Sequence, residues 1–146
     1  MVLGLNSLPL PTLTWGDARL SNLIYQDFQV AAVLDWEMAS LCDPLLDLGW
    51  WLFADDALTR GSGCERLPGF PSRADTAERW SELTGRSAAA LGYYELLAGF
   101  RFTVIMARLG KLLHDMELVP STFAYDILIS QALEAQLDER GLGPSS

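Results

Sequence analysis

Three polar residues early in the chain, Asp17, Asn22 and Asp35, have types suited to proton transfer and to holding a hard cation. A carboxylate can take a proton, and amide and carboxylate oxygens are the ligands that magnesium prefers. Asp17 and Asn22 are separated only by Ala18 to Ser21, so they share one short loop. Asp35 has to be brought to them. Leu23 to Tyr25 and Phe28 to Leu34 read as two β-rich runs around Gln26-Asp27, a hairpin that returns the chain and sets Asp35 beside Asn22. An acid ending the apolar run Val30 to Leu34 is costly to bury without a compensating charge, and a metal ion is the usual one. Each residue also has a plain reading. Asp and Asn are turn formers, and Gly16-Asp17 or Gln26-Asp27 alone would be loop punctuation.

An aspartate, four residues and an asparagine reproduce the spacing of a kinase catalytic loop. WGDARLSNL from Trp15, VLDWE from Val33 and DPLLDLGW from Asp43 together resemble the aminoglycoside phosphotransferase and choline kinase group. These are protein-kinase-like enzymes with HGDxxxxN, then a DxE turn, then GDPxxDL. The resemblance covers Thr14 to Phe53, and three motifs in order are far more specific than one. Two positions depart from it: Trp15 stands where the group usually has His, and Cys42 where it usually has Gly.

The resemblance implies a role for each residue. Asp17 orients the substrate hydroxyl and accepts its proton, and Arg19 meets the transferring phosphate, a solvated loop arginine being its plain alternative. Asn22 and Asp35 hold Mg2+ against the phosphates of ATP or another nucleoside triphosphate, with Glu37 supporting the metal turn 35–37. Asp47 turns inward to accept hydrogen bonds from catalytic-loop amides; its plain alternative is a carboxylate that suits a helix dipole. The implied fold is α+β, mainly α: a kinase-like C-terminal lobe with a small β-hairpin beside a helical bundle. The N-terminal β-rich lobe is expected to be absent, since no Gly-rich loop or lysine-bearing strand precedes Trp15.

Residues 1–13 read as a lead-in, 14–141 as the lobe with its catalytic loop at 15–22, and 142–146 as a polar tail. Asp43-Pro44 opens a helix running from Pro44 to about Ala54. Asp55 to Pro71, rich in Gly and Pro, reads as a long loop on the substrate side. Ser72 and Asp75 form a capping box for a helix that ends at Thr84, before Gly85. Ser87 starts the next, and Ala88 to Met116 forms one long helix or two joined near Gly110. Ser121 caps a last helix containing Tyr125 and Leu128, which Gly141 ends. Trp50, Trp51, Tyr93, Tyr94, Phe100 and Phe102 sit at core spacing and read as packing.

A chain of 146 residues, 50% apolar, can bury the core of one domain. Asp47 and Arg101 interrupt the apolar runs before they reach the roughly 18 residues of a membrane span. The opening MVLGLNSLPLP lacks a basic region and a cleavage pattern, so the expected location is cytoplasmic. Cys42 and Cys64, with no CxxC, read as reduced thiols. The net charge of −9, with Lys111 as the sole lysine, excludes nucleic acid and anionic membranes as natural partners. A cationic acceptor would suit that sign. The single histidine, His114, reads as a surface or packing residue.

The expected partners are a small hydroxylated acceptor and either the missing lobe or a second copy, with Leu3 to Leu13 taking part. Alone, the chain is expected to be inactive or very weak. Two rival readings use the same residues: a binding or structural module, and a magnesium-dependent hydrolase.

Overall fold

The computed structural model describes residues 11–123 and 126–143. The residues that precede Trp15 pair at once. Strand β1 (Thr12–Thr14) runs antiparallel to β4 (Ser40–Cys42), with Leu13 opposite Leu41. Thr12 and Leu13 are therefore strand residues rather than part of a lead-in. Between these strands lie a single 3₁₀ turn at Leu20–Asn22 and the hairpin of β2 (Leu23–Gln26) and β3 (Gln29–Val33).

The hairpin turns one residue later than the sequence suggested. Gln26 pairs with Gln29, so the two-residue turn is Asp27-Phe28, and both have positive φ, 49° and 60°. That backbone matches the twist of the strands, but it favours Asn and Gly over a bulky aromatic. Phe28 is in addition fully exposed. Phe28→Gly should therefore raise the free energy of unfolding by about 1 kcal/mol. Urea denaturation checks this, and an unchanged or lower midpoint would show that the Phe28 ring has a partner on the folded protein.

Helix α1 (Leu45–Thr59) is the centre of the lobe. The Asp43 carboxylate accepts the Leu45 N–H at 2.9 Å, and Pro44 precedes the first turn. Leu45, Leu46, Leu48, Trp50, Leu52, Phe53, Ala54 and Ala57 are all buried, which leaves α1 little solvent face. It runs five residues beyond the expected end at Ala54. Asp55 and Asp56 looked like a break but bind forward instead: Asp56 takes the Arg60 guanidinium at 2.5 and 2.6 Å, and Asp55 pairs with Arg66. Arg66 also donates to the Pro71 carbonyl and lies over the Phe70 ring, so it pins the shorter loop that remains, 60–71.

Helix α2 (Arg73–Thr84) follows the sequence reading closely. The Ser72–Asp75 capping box forms in both directions, and Gly85 closes the helix at φ 67°. Hydrogen bonds from Ser72 hold the Asp75 carboxyl below its usual range. That contribution is present above the ordinary carboxylate pKa and is lost as the pH falls through the lowered one. Helix α3 (Leu91–Asp115) is one unbroken helix of 25 residues. It starts later than Ser87, whose hydroxyl only accepts the Ala89 N–H. At Gly49 a Cβ would lie 2.6 Å from the Tyr94 carbonyl carbon, so α1 and α3 meet backbone to backbone. Helix α4 (Leu128–Glu139) begins seven residues after Ser121 (128 − 121), and Tyr125 lies outside the described residues.

The core lies between α1, α3 and α4. Trp50, Phe53, Ala57, Ala98, Phe102 and Ile129 form one cluster; Leu45, Leu48, Leu52 and Leu91 form a second, against Trp51, Trp80 and Tyr94. Tyr93 and Phe100 face solvent, which corrects their reading as packing residues. A buried acid missed in the sequence joins three helices. Glu95 of α3, 3% exposed, binds Arg73 of α2 at 2.6 Å through both oxygens and Arg140, just past α4, at 3.0 Å. Its partners are far away in sequence, so no local pattern marks it.

Candidate active site

Asp47 fixes the loop that carries Asp17. Its Oδ2 accepts the Trp15 N–H and its Oδ1 the Gly16 N–H, both at 2.7 Å. A charged acceptor on two backbone donors is a strong restraint. Gly16 permits the bend: its φ is +92°, and a Cβ there would run into the Met38 carbonyl. The chain can then turn Asp17 inward, where it is 6% exposed.

Three donors converge on the Asp17 carboxylate. The Trp50 indole Nε1 donates to Oδ1 at 2.9 Å; the Asn22 Nδ2 donates to Oδ2 at 2.7 Å, and Arg19 pairs with Oδ2 at 2.9 Å. Asn22 Nδ2 also donates to the Asp17 backbone carbonyl at 3.1 Å. Trp50 was read only as packing, yet it sets one oxygen of the carboxylate while its ring stacks on Phe102 with centroids 5.1 Å apart. Its position was readable in principle: Trp50 follows Asp47 by three residues on α1, so both project from one face of the helix towards the loop.

The hairpin returns the chain to Asn22 as expected, since the Leu34 N–H donates to the Asn22 carbonyl at 2.9 Å. Asp35 follows at φ +60°, a left-handed conformation that Asp tolerates better than most residues. The side chain is not in an apolar enclosure. Asp35 and Glu37 are exposed, as are Val30 and Leu34, so the burial argument for a compensating cation does not apply. Trp15 reaches across instead. Its indole donates to the carbonyls of Leu34 at 2.7 Å and Asp35 at 3.1 Å, and its ring lies 6.1 Å from that of Trp36. The residue that departs from the kinase-like pattern thus ties the catalytic loop to the turn bearing Asp35.

The donor set fits magnesium. With Nδ2 spent on Asp17, Asn22 has its Oδ1 left as a neutral hard ligand, and the Asp35 carboxylate makes no hydrogen bond to any described residue. No group of three or more His, Cys, Asp or Glu able to hold a metal exists among the described residues. Sparse protein ligation suits magnesium, which keeps waters and substrate phosphates in its shell. His114, exposed at the end of α3, takes no part; its Nδ1 lies 3.0 Å from the Val119 carbonyl. Cys42 and Cys64 are free thiols. No helix is long and apolar enough to cross a membrane among the described residues.

The chain is 27% identical over 138 residues to acyl-CoA dehydrogenase family member 11 of Pongo abelii, an alignment covering 89% of this chain and 17% of that protein. It is 49% identical over 41 residues to acyl-CoA dehydrogenase family member 10 of Mus musculus, covering 27% of this chain and 4% of that protein. The chain thus spans less than a fifth of the length of either relative. The model of the phosphotransferase enzyme family matches residues 5–91, a stretch holding Asp17, Asn22, Asp35 and Asp47, and the chain belongs to that family.

Proposed function

We propose that the chain supplies the catalytic lobe for moving the γ-phosphate of magnesium-bound ATP, or another nucleoside triphosphate, to the hydroxyl of a small molecule. The observation that carries this reading is the held pair of Asp17 and Asn22. Asp47 fixes the loop, Trp50 and Arg19 orient the Asp17 carboxylate, and the Asn22 amide is turned so that its oxygen is left over. Phosphoryl transfer asks the protein chiefly for positioning and charge neutralisation, and these residues provide both. Asp17 would align the acceptor hydroxyl and take its proton, while Asn22 and Asp35 would hold the magnesium that neutralises the phosphates. Arg19, already on Asp17, would face the transferred group, and Glu37 would support the turn at Asp35.

None of the described strands carries a lysine, and no glycine-rich phosphate loop occurs among the described residues. Phosphate positioning would then be shared with a β-rich nucleotide-covering lobe. The chain alone should bind magnesium nucleotide weakly and turn over little. Joined to the covering lobe of a family member, it should transfer labelled γ-phosphate to at least one member of a panel of amino sugars, aliphatic alcohols and hydroxyacyl compounds. Phosphate released only to water would favour a hydrolase, and no release at all a binding module.

The same reading accounts for a set of exposed apolar residues. Ile24, Tyr25, Phe28, Val30, Leu34 and Trp36 on and after the hairpin, and Leu13 and Leu41 on the β1–β4 pair, are all exposed. Successive strand residues such as Ile24 and Tyr25 point to opposite sides, so these residues do not make one face, but their number on two small two-stranded sheets suits a covering partner. Residues 3–10 of the segment expected to contribute lie outside the described residues. The chain should self-associate at micromolar concentration, and joining it to the covering lobe should make it monomeric. Light scattering that reports a strict monomer for the chain alone would count against these residues as a contact.

A further inference from the structure

A cavity of about 240 Å³ opens directly beside the catalytic loop, between Arg19 to Ser21 and the outer face of α1. We propose that it is the acceptor's pocket and that it selects an alcohol with an apolar body and no net positive charge. The proposal rests on the phosphotransfer reading for the word acceptor; the ligand class rests on the walls of the cavity alone.

Leu20, Trp51, Ala54 and Leu58 make the walls apolar. Apart from the exposed Ser21, the polar residues on the rim are directed elsewhere. Thr59 donates its hydroxyl to the Asp55 carbonyl at 2.6 Å, Asp55 pairs with Arg66, and Arg19 pairs with Asp17. A polycationic amino sugar would find one carboxylate there, Asp55, and that one is already neutralised. The acidic net charge of the chain, −9, therefore misleads about this site, because none of it stands unpaired in the cavity. Two lining atoms are buried without a hydrogen-bond partner: the Asp55 Oδ2, which has the Arg66 charge beside it, and the Arg19 Nε. That leaves an unmet donor on a residue that lines the cavity, and a buried donor of this kind is costly unless a ligand oxygen satisfies it. The acceptor would place its oxygen-bearing end against Arg19, the lining residue that pairs with Asp17, and its carbon body between Trp51 and Leu58. The space equals that of about eight liquid waters, which suits a body of about eight heavy atoms.

The test is titration of the chain with linear primary alcohols from butanol to octanol, followed in 15N–1H spectra, with kanamycin as the polycationic rival. The alcohols should shift the Trp51 indole and the Leu20 and Ser21 amides, with affinity rising about fourfold per methylene until the cavity is full. Leu58→Glu, at a half-exposed position on the rim, should weaken octanol binding at least tenfold and leave the rest of the spectrum in place. Tighter kanamycin binding at these same signals, or alcohol shifts confined to other residues, would overturn the proposal. So would octanol binding that Leu58→Glu leaves unchanged. Specific alcohol binding together with no transfer by the joined protein would keep the pocket and retire the phosphotransfer reading.

Discussion

Asp17→Asn should lower phosphoryl transfer by the joined protein between about a hundred- and ten-thousandfold, the range expected for losing a positioned base. The amide is nearly isosteric but keeps one acceptor for three donors: with its oxygen on the Trp50 indole its NH2 faces Asn22 and Arg19, so Asn22 is then held by the Asp17 backbone carbonyl and the loop by Asp47. Nucleotide binding should be largely spared. Asp35→Asn is the contrast. It keeps a residue that tolerates the left-handed backbone at φ 60°, removes a charge that makes no hydrogen bond among the described residues, and should weaken nucleotide binding and transfer together. Single-turnover transfer and magnesium-dependent nucleotide binding measured side by side separate the two. Undiminished transfer by the Asp17 variant would mean that another group takes the proton.

Asp47→Ala should have the largest effect on stability. It strips both acceptors from the Trp15 and Gly16 amides, and hydrogen bonds to a charged group are worth about 1.5–3 kcal/mol each. The loss, about 3–5 kcal/mol after some relaxation, is a large share of the roughly 5–15 kcal/mol typical of a domain. Urea midpoints should fall accordingly, and the Trp15 and Gly16 amides should exchange faster with solvent than the interior of α3. A midpoint within experimental error of the parent would show that the loop is fixed by something other than this carboxylate.

How far the sequence could be read depended on whether a residue's partner lies nearby. The capping box of Ser72 and Asp75 and the stop at Gly85 are local, and both were legible. The mainly α architecture with its small hairpin followed from the same short-range patterns, and the motif order gave the family. The hairpin turn was misplaced because Asp27-Phe28 puts an aromatic where turn chemistry favours Gly. The end of α1 was missed because Asp55 and Asp56 read as the start of a polar loop, whereas Asp56 binds Arg60 one helical turn on and Asp55 binds Arg66 beyond the helix end. Helix α4 starts late because Pro120 and Ser121 open a separate turn, in which the Phe123 N–H bonds the Pro120 carbonyl. Glu95 depends on contacts across the fold that no local pattern marks, whereas the donation of Trp50 to Asp17 was signalled only by the three-residue spacing from Asp47.

The indole of Trp15 spans from the catalytic loop to the Leu34 and Asp35 carbonyls, at the position where the kinase-like pattern usually has an imidazole. Histidine is the one side chain whose ordinary titration falls between about pH 5 and 8, so a loop braced by it has a proton to gain or lose in that window. An indole N–H has none. The brace between the Asp17 loop and the Asp35 turn is therefore the same at mildly acidic pH as at neutrality, and with the sole histidine, His114, in the last turn of α3, no imidazole lies in the loop to give its shape a titration midpoint.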